Sequence, residues 1–283
     1  MDWLTEYKLP IGKGIKIAVD WLNAHAAWLF DAIADGLGFW IDGLIDLMQW
    51  CPPLLLVILF TALSYWLHRS LKLSAFVLLA LLLIINLGYW EETVETLALV
   101  VFAAAVCMLI GVPLGIAAAR RPWLYAILRP ILDLMQTIPT FVYLIPTLIL
   151  FGLGVVPGLI STVIFAIPAP VRLTHLGISS VPKPLLEAGE AFGATRSQQL
   201  WKVELPHALP TIMAGLTQCI MLSLSMVVIA ALVGAGGLGK PVVRALNSVN
   251  IAQGFEAGLS IVLVAILLDR LCRQKTTPKK DIS

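Results

Sequence analysis

Long uncharged apolar runs, separated by short charged or Pro/Gly-rich stretches, are the dominant pattern along this chain. Thr96–Ala119, Ala208–Gly239 and Leu134–Val171 contain no Asp, Glu, Lys or Arg. A helix that spans a bilayer needs roughly 17–25 mainly apolar residues. The first two runs suit one span each, with room for a turn. The third is too long for one, and Gly152, Gly154, Pro157 and Gly158 punctuate it, which predicts two helices joined by a tight turn. Shorter runs at Pro52–Leu67, Leu73–Trp90 and Ala257–Leu268 bring the total to seven predicted spans.

Ahead of these lies a different pattern. Between Ile17 and Met48, Leu29, Ile33, Leu37, Trp40, Leu44 and Met48 recur every three or four residues, with Asp31, Asp35, Asp42 and Asp46 on the opposite face. This predicts an amphipathic helix, with a break near Gly36 and Gly38. Helices that bind membrane surfaces usually carry basic polar faces. This acidic face gains nothing from lipid charge, so the segment is expected to act as a scaffold lying against the outer side of the spans. The segment does not read as a signal peptide, because it lacks a basic start, an immediate apolar core and a small-residue cleavage site.

The polar segment 181–210 predicts structure of its own. Pro182 and Pro184 open a short helix, since Pro suits a first helical turn. Glu187 is placed in that first turn, near the positive end of the helix dipole. Leu185, Leu186, Ala188, Ala191 and Phe192 give the helix an apolar side, and Gly193 ends it. Thr195 and Gln198 then have the spacing of a capping box. A second short helix carries Leu200, Trp201 and Val203, and Pro206 and Pro210 bound the return to the apolar runs. An isolated pair this short is marginal in water, so it needs a partner surface.

Composition agrees with the runs. The 283 residues are 59% hydrophobic and 13% charged, with mean hydropathy +0.93; soluble domains are about 45–50% apolar and about 25% charged. Basic residues set orientation. With the N-terminus outside and seven spans, 14 of the 19 Lys and Arg fall on inside segments, including Arg69, Arg120, Arg172, Lys183, Arg196, Arg273, Lys275, Lys279 and Lys280. Lys8, Lys13, Lys16, Lys240 and Arg244 fall outside. Acidic residues divide the other way, 6 of 17 inside. The expected topology is therefore an outside N-terminus and a cytoplasmic C-terminus. The chain divides into an external segment 1–51, a membrane domain 52–272 and a cytoplasmic tail 273–283.

Candidate chemistry changes little. Cys51, Cys107, Cys219 and Cys272 are scattered, and the four histidines show no metal spacing. No metal, disulfide or nucleophile–base pair is expected. The run Gly234–Gly239 fits G-x-G-x-x-G, and with Lys240 it nearly spells a phosphate-binding loop. Both motifs need a preceding strand; here an apolar helix precedes, and Pro241 stands where a magnesium-binding Ser or Thr would be. The run is expected to be a turn in which backbones approach closely or take positive φ. In 181–210, Lys183, Arg196 and Lys202 balance Glu187, Glu190 and Glu204, which is no footprint for nucleic acid. Docking to a protein fits better.

The spacing in that segment is specific. Glu187-Ala-Gly-Glu-Ala-Phe-Gly193, then nine residues, then Val203-Glu-Leu-Pro206, resembles the EAA loop of ABC importer permeases, E-A-A-x3-G-x9-I-x-L-P. Gly189 replaces the third Ala, and Val203 replaces Ile. The resemblance implies a type I ABC importer permease fold: an all-α, polytopic membrane protein with about seven transmembrane helices and a cytoplasmic coupling helix. It also implies that Glu187, Ala188, Gly189, Ala191, Gly193, Ala194, Leu205 and Pro206 shape the element that docks on an ABC ATPase subunit. Gln136–Pro146, Val233–Gly239, Gly254–Gly258 and Leu268-Asp-Arg270 are similar to permeases for glycine betaine, proline betaine and choline, over about Ala18 to Arg273. That likeness implies a cytoplasmic (inner) membrane location, a permease pair and an external substrate-binding protein; the second permease is this same chain, in a homodimer, or else a paralogue, with the homodimer expected. It implies import of a quaternary ammonium osmoprotectant, with ATP and magnesium held by the partner and no cofactor in this chain.

The residues themselves are compatible with such a substrate. The predicted span centres lack the ionisable groups that ion-coupled carriers place near the midplane. A permanent cation can be met by aromatic faces, at about 0.5–2 kcal/mol each. Phe141 and Tyr143 are candidates, or else pack against lipid and helices. Gln136, Thr137, Thr140, Gln218, Ser223 and Ser225 either line a path or bond neighbouring helices. Pro139 and Pro146 interrupt the fourth span and can free carbonyls toward a cavity. The alternative is a secondary carrier or channel acting without an ATPase.

Overall fold

The structure, a computed structural model, describes residues 10–272. The tail expected at 273–283, with Arg273, Lys275, Lys279 and Lys280, and the first nine residues, with Lys8, lie outside the described residues. Within them the chain is helical, and no strand is formed.

The first helix, α1 (Ile11–Trp50), is the expected amphipathic segment, with two corrections. Its non-helical residue is Ala26 (φ −126°, ψ 16°), not Gly36 or Gly38. Beside Ala26, His25 Nδ1 sits 2.9 Å from the Trp21 carbonyl and competes for a helical acceptor. The packed face is also rotated from the expected stripe. Ile41 is fully buried, whereas Trp40 is 67% exposed. Leu37 and Ile45 support Ile41 against Ala103 and Leu159, and Phe30 meets Phe151 edge-on at 5.3 Å. Trp21, Trp28, Phe39, Trp40 and Trp50 remain exposed. Asp42 and Asp46 line a cavity of about 280 Å³ with Glu95 and Lys240.

At Cys51–Pro52 the chain bends by 101° into α2 (Pro53–His68). Arg69 turns it with left-handed φ 47° and ψ 39°, and α3 (Leu71–Asn86) returns against α2. The centre of the bundle is α4 (Trp90–Arg120), α7 (Val155–Ala166), α8 (Pro168–Ser179) and α11 (Leu205–Ala231), all in mutual contact. Their approach is close. A Cβ on Gly115 of α4 would lie 2.7 Å from the Val171 carbonyl oxygen of α8, so only glycine lets these backbones meet, as small residues commonly do in membrane bundles. Val100, Cys107, Val171, Cys219 and Val227 fill the space around this crossing. Two further helices, α5 (Pro122–Thr137) and α6 (Thr140–Phe151), are bent by 96° at Ile138–Pro139. After α11, a glycine turn leads to α12 (Gly239–Asn247), which packs on α13 (Ile251–Cys272).

Among the described residues, four helices can cross a membrane alone by length and composition, and up to six crossings result if each bent pair is one span. The sequence runs suggested about seven. Between six and seven the difference is Leu71–Asn86, which has only 16 residues; the count falls to four when the two bent pairs, broken before Pro53 and at Pro139, are not taken as spans. Outward-facing Leu54, Ile58, Trp66, Leu79 and Leu109 are each more than half exposed. Water would not tolerate that much contiguous apolar surface; lipid does.

Candidate functional site

The 181–210 segment folds into two arms. The first is α9 (Lys183–Ala191), with Pro182 as its N-cap and Pro184 in its first turn. Glu187 therefore sits one turn further in than expected, and no acidic residue occupies the first turn. The end is a complete Schellman motif. Ala194 N–H donates to the Gly189 carbonyl at 3.0 Å, and Gly193 N–H donates to Glu190 at 2.9 Å. Gly193 carries the left-handed φ of 74° that this closure needs. Replacing the family's Ala by Gly189 costs no space, since a Cβ there would meet only Val203 Cγ2, at 3.8 Å.

The second arm opens with the capping box. Thr195 Oγ1 accepts from Gln198 N–H at 3.3 Å, and the Gln198 side chain accepts from Thr195 N–H at 2.9 Å. It begins α10 (Arg196–Gln199). A separate second helix was expected here. Instead, α10 runs through a π-helical turn, Leu200–Glu204, straight into α11, giving one helical run from Arg196 to Ala231. Pro206 follows directly on this π turn, where Leu205 N–H bonds five residues back to the Leu200 carbonyl, and the run continues through it without a break. Gln199, which the sequence reading did not single out, joins the arms: it is buried, and its Nε2 donates to the Leu186 carbonyl at 3.2 Å.

Glu187, Ala188, Ala191 and Pro206 are exposed, and Gly189, Ala194 and Leu205 are half-buried. Beside them stand unpartnered apolar side chains: Phe192 is 93% exposed and Trp201 68%. Arg120, at the end of α4, reaches across to this segment. Its Nη2 donates to both carboxylate oxygens of Glu204, at 3.0 and 3.1 Å. Sequence offered no signal for this pair, whose members are 84 positions apart.

The candidate path residues fall into two groups. Gln136 and Thr137 end α5, and Thr140, Phe141 and Tyr143 begin α6, so the 96° corner brings them together. Phe141 is 56% exposed. The Tyr143 hydroxyl is taken within the corner, donating to the carbonyls of Met135 and Leu134. On α11, Gln218 and Ser225 share an exposed stripe with Met221, but Ser223 is fully buried on the opposite side. Helices α6 and α11 are neighbours.

The glycine run has a helix on each side. Its amides are occupied internally: Gly237 N–H donates to Glu95, and Leu238 N–H donates to Thr96 Oγ1 at 2.8 Å. Gly234 and Gly237 take φ of 91° and 92°. This is the turn expected from the sequence.

Comparison with known proteins agrees with this geometry. The family described as "Binding-protein-dependent transport system inner membrane component" matches residues 111–272. The glycine betaine transport system permease protein OpuAB of Bacillus subtilis is 46% identical over 274 residues, covering 97% of each chain. The glycine betaine/carnitine transport permease protein GbuB of Listeria monocytogenes is 47% identical over 263 residues, covering 87% of this chain and 93% of that one. Among solved structures, the inward-facing MetNI methionine ABC transporter aligns with TM-score 0.56 and 27% identity, over 63% of this chain and 92% of its own. The loop spacing, the helical bundle and these relatives converge: the chain belongs to the binding-protein-dependent transport system inner membrane components and is the permease of an ABC importer.

Proposed function

We propose that this permease imports a quaternary ammonium solute of the glycine betaine, proline betaine or choline class, driven by ATP hydrolysis on a separate partner subunit. The observation that carries the coupling half is the exposed apolar pair Phe192 and Trp201 on a short, capped helical elbow. Aromatic side chains left fully in contact with water are expected where a partner covers them. The ATPase subunit is that partner, and ATP and magnesium sit on it; this chain holds no cofactor of its own. The substrate class is supported by the names of the relatives, and by Phe141, whose exposed ring can face a permanent cation.

The basic residues Arg120, Arg121, Arg129, Arg172, Lys183, Arg196 and Lys202 support a loop on the cytoplasmic side; an outside N-terminus goes with it when α2 and α3 each cross. The glycine turn and α12 then face an external substrate-binding protein. A second copy of this chain covers the stripe of Gln218, Met221 and Ser225 on α11 and the exposed face of α6, and the solute passes between the copies. ATP binding draws the ATPase subunits together, the two loops follow, and the bundles rock from inward to outward access.

The docking is tested by Ala191→Cys in the assembled complex. A crosslink to the ATPase subunit is expected; its absence in a complex that still transports would sink the coupling assignment. Uptake competition among ammonium solutes in the reconstituted complex tests the substrate class, and transport unaffected by any of them would overturn it.

A further inference from the structure

We infer that α4 and α11 are fastened together at both ends and act as one strut, with Arg120 the positioning residue at the loop end and Glu95 its counterpart at the far end. This deepens the coupling role proposed above and rests on it. The second arm of the loop is already the first part of α11, because the helical run from Arg196 to Ala231 is unbroken. Movement of that arm is therefore movement of α11. What remains is whether α4 follows.

At the loop end, one nitrogen of Arg120 bridges both oxygens of Glu204 and also donates to the Arg196 carbonyl at 3.3 Å. The Glu204 side chain is only 12% exposed, and Arg120 is 36% exposed. A pair open to water on one side contributes little to stability. Its charge-assisted bonds nevertheless fix one helix end against the other in a single register. At the far end, Glu95 and Thr96 accept from the amides of Gly237 and Leu238, just beyond α11. Thr96 and Arg120 are 24 residues apart on α4, about 36 Å at helical rise. That exceeds the roughly 30 Å hydrocarbon layer.

Two helices fastened only at one end can slide or pivot. Fastened at both ends, with the α8 crossing between, they keep their register while they tilt. A displacement of the loop then arrives at the glycine turn and α12 on the opposite side. Rigid elements of this kind are what carries coupling over such distances. Removing one fastening should leave hydrolysis running while transport falls behind it.

The test uses the whole complex, permease with its ATPase and binding protein, in vesicles, and reads solute moved per ATP hydrolysed. Arg120→Ala and Glu204→Ala should each lower that ratio about fivefold or more, the lower range of allosteric coupling. The double exchange Arg120→Glu with Glu204→Arg should restore it to within about twofold of the starting chain. Glu95→Ala should lower the ratio from the other end. An unchanged ratio in assembled, hydrolysing complexes of the single variants overturns the strut, even if their melting temperature drops. Should Arg120→Ala fail to assemble, Glu204→Gln keeps the volume and removes the charge, and is read by the same criterion. Failure of the Ala191→Cys crosslink would instead strike the docking itself, whatever the ratio does.

Discussion

The Tyr143 hydroxyl donates to the Met135 carbonyl, the acceptor that Pro139, lacking an N–H, leaves without its helical partner. The corner between α5 and α6 is thereby closed by a side chain from the second helix folding back on the first. Tyr143→Phe keeps the ring and removes the donor, leaving that carbonyl without its side-chain partner. We expect a loss of about 1–3 kcal/mol, seen as a lower melting temperature of the purified permease. A melting temperature equal to that of the parent chain would refute the role of this bond.

Phe192 and Trp201 should behave as binding residues and not as core. Each touches water over most of its surface, so Phe192→Ala and Trp201→Ala should change the stability of the isolated permease by under about 0.5 kcal/mol. In a docked complex, buried aromatics of this type cost about 2 kcal/mol or more when truncated. Affinity for the ATPase subunit, measured by titration in detergent, should fall about thirtyfold. A large drop in stability with unchanged affinity would reverse the assignment.

Two glycines should respond oppositely to alanine. Gly237 has φ 92°, and a Cβ there would sit 2.5 Å from Thr96 Oγ1. Gly237→Ala should therefore destabilise by about 1–3 kcal/mol through strain alone, with the clash in addition. Gly189 lies in the last turns of α9, with open space around it. Gly189→Ala should raise the stability of the loop by about 0.5–1 kcal/mol. Thermal unfolding of the two variants, followed side by side, checks the contrast.

The buried hydroxyl pair Thr147–Ser161 joins α6 to α7 at 2.9 Å. Thr147 also lies within bonding distance of the carbonyls of Tyr143 and Leu144, so it keeps a partner when Ser161 is lost. Interhelical bonds in membranes average only about 0.6 kcal/mol. Ser161→Ala should accordingly cost less than about 1 kcal/mol in a denaturation titration, far below the Gly237 substitution. A cost of several kcal/mol would mean that the pair governs the α6–α7 contact.

Features that depend on near neighbours were legible in the sequence. The stop at Gly193 and the Thr195–Gln198 capping box lie within a few residues of their partners; the glycines at 152–154 were legible as a turn, although Gly154 N–H bonds to the distant Val233 carbonyl. The periodicity of α1 was legible too, but its packed face was not. Apolar residues such as Phe39, Trp40, Ile41 and Leu44 span a wide arc of that helix, and the choice of Ile41 over Trp40 follows from which side chain fits against Ala103 and Leu159. The continuity of the loop's second arm with α11 was missed because Pro206 and Pro210 resemble boundaries in a sequence, whereas the π turn Leu200–Glu204 carries the helix past Pro206.

The sequence by itself determined that this chain is built of apolar helices suited to lipid, that one helix stops at Gly193 and the next starts at Thr195, and that a loop of family spacing stands there, because hydropathy, φ preference and capping act over one or two turns. Tertiary structure alone decided that Arg120 meets Glu204, that Glu95 and Thr96 hold the glycine turn, and that Tyr143 closes the broken corner. The first two contacts join positions 84 and 142 residues apart, and the third depends on a 96° bend. No local preference encodes which distant backbone a side chain will reach; the packing of α4, α8 and α11 does.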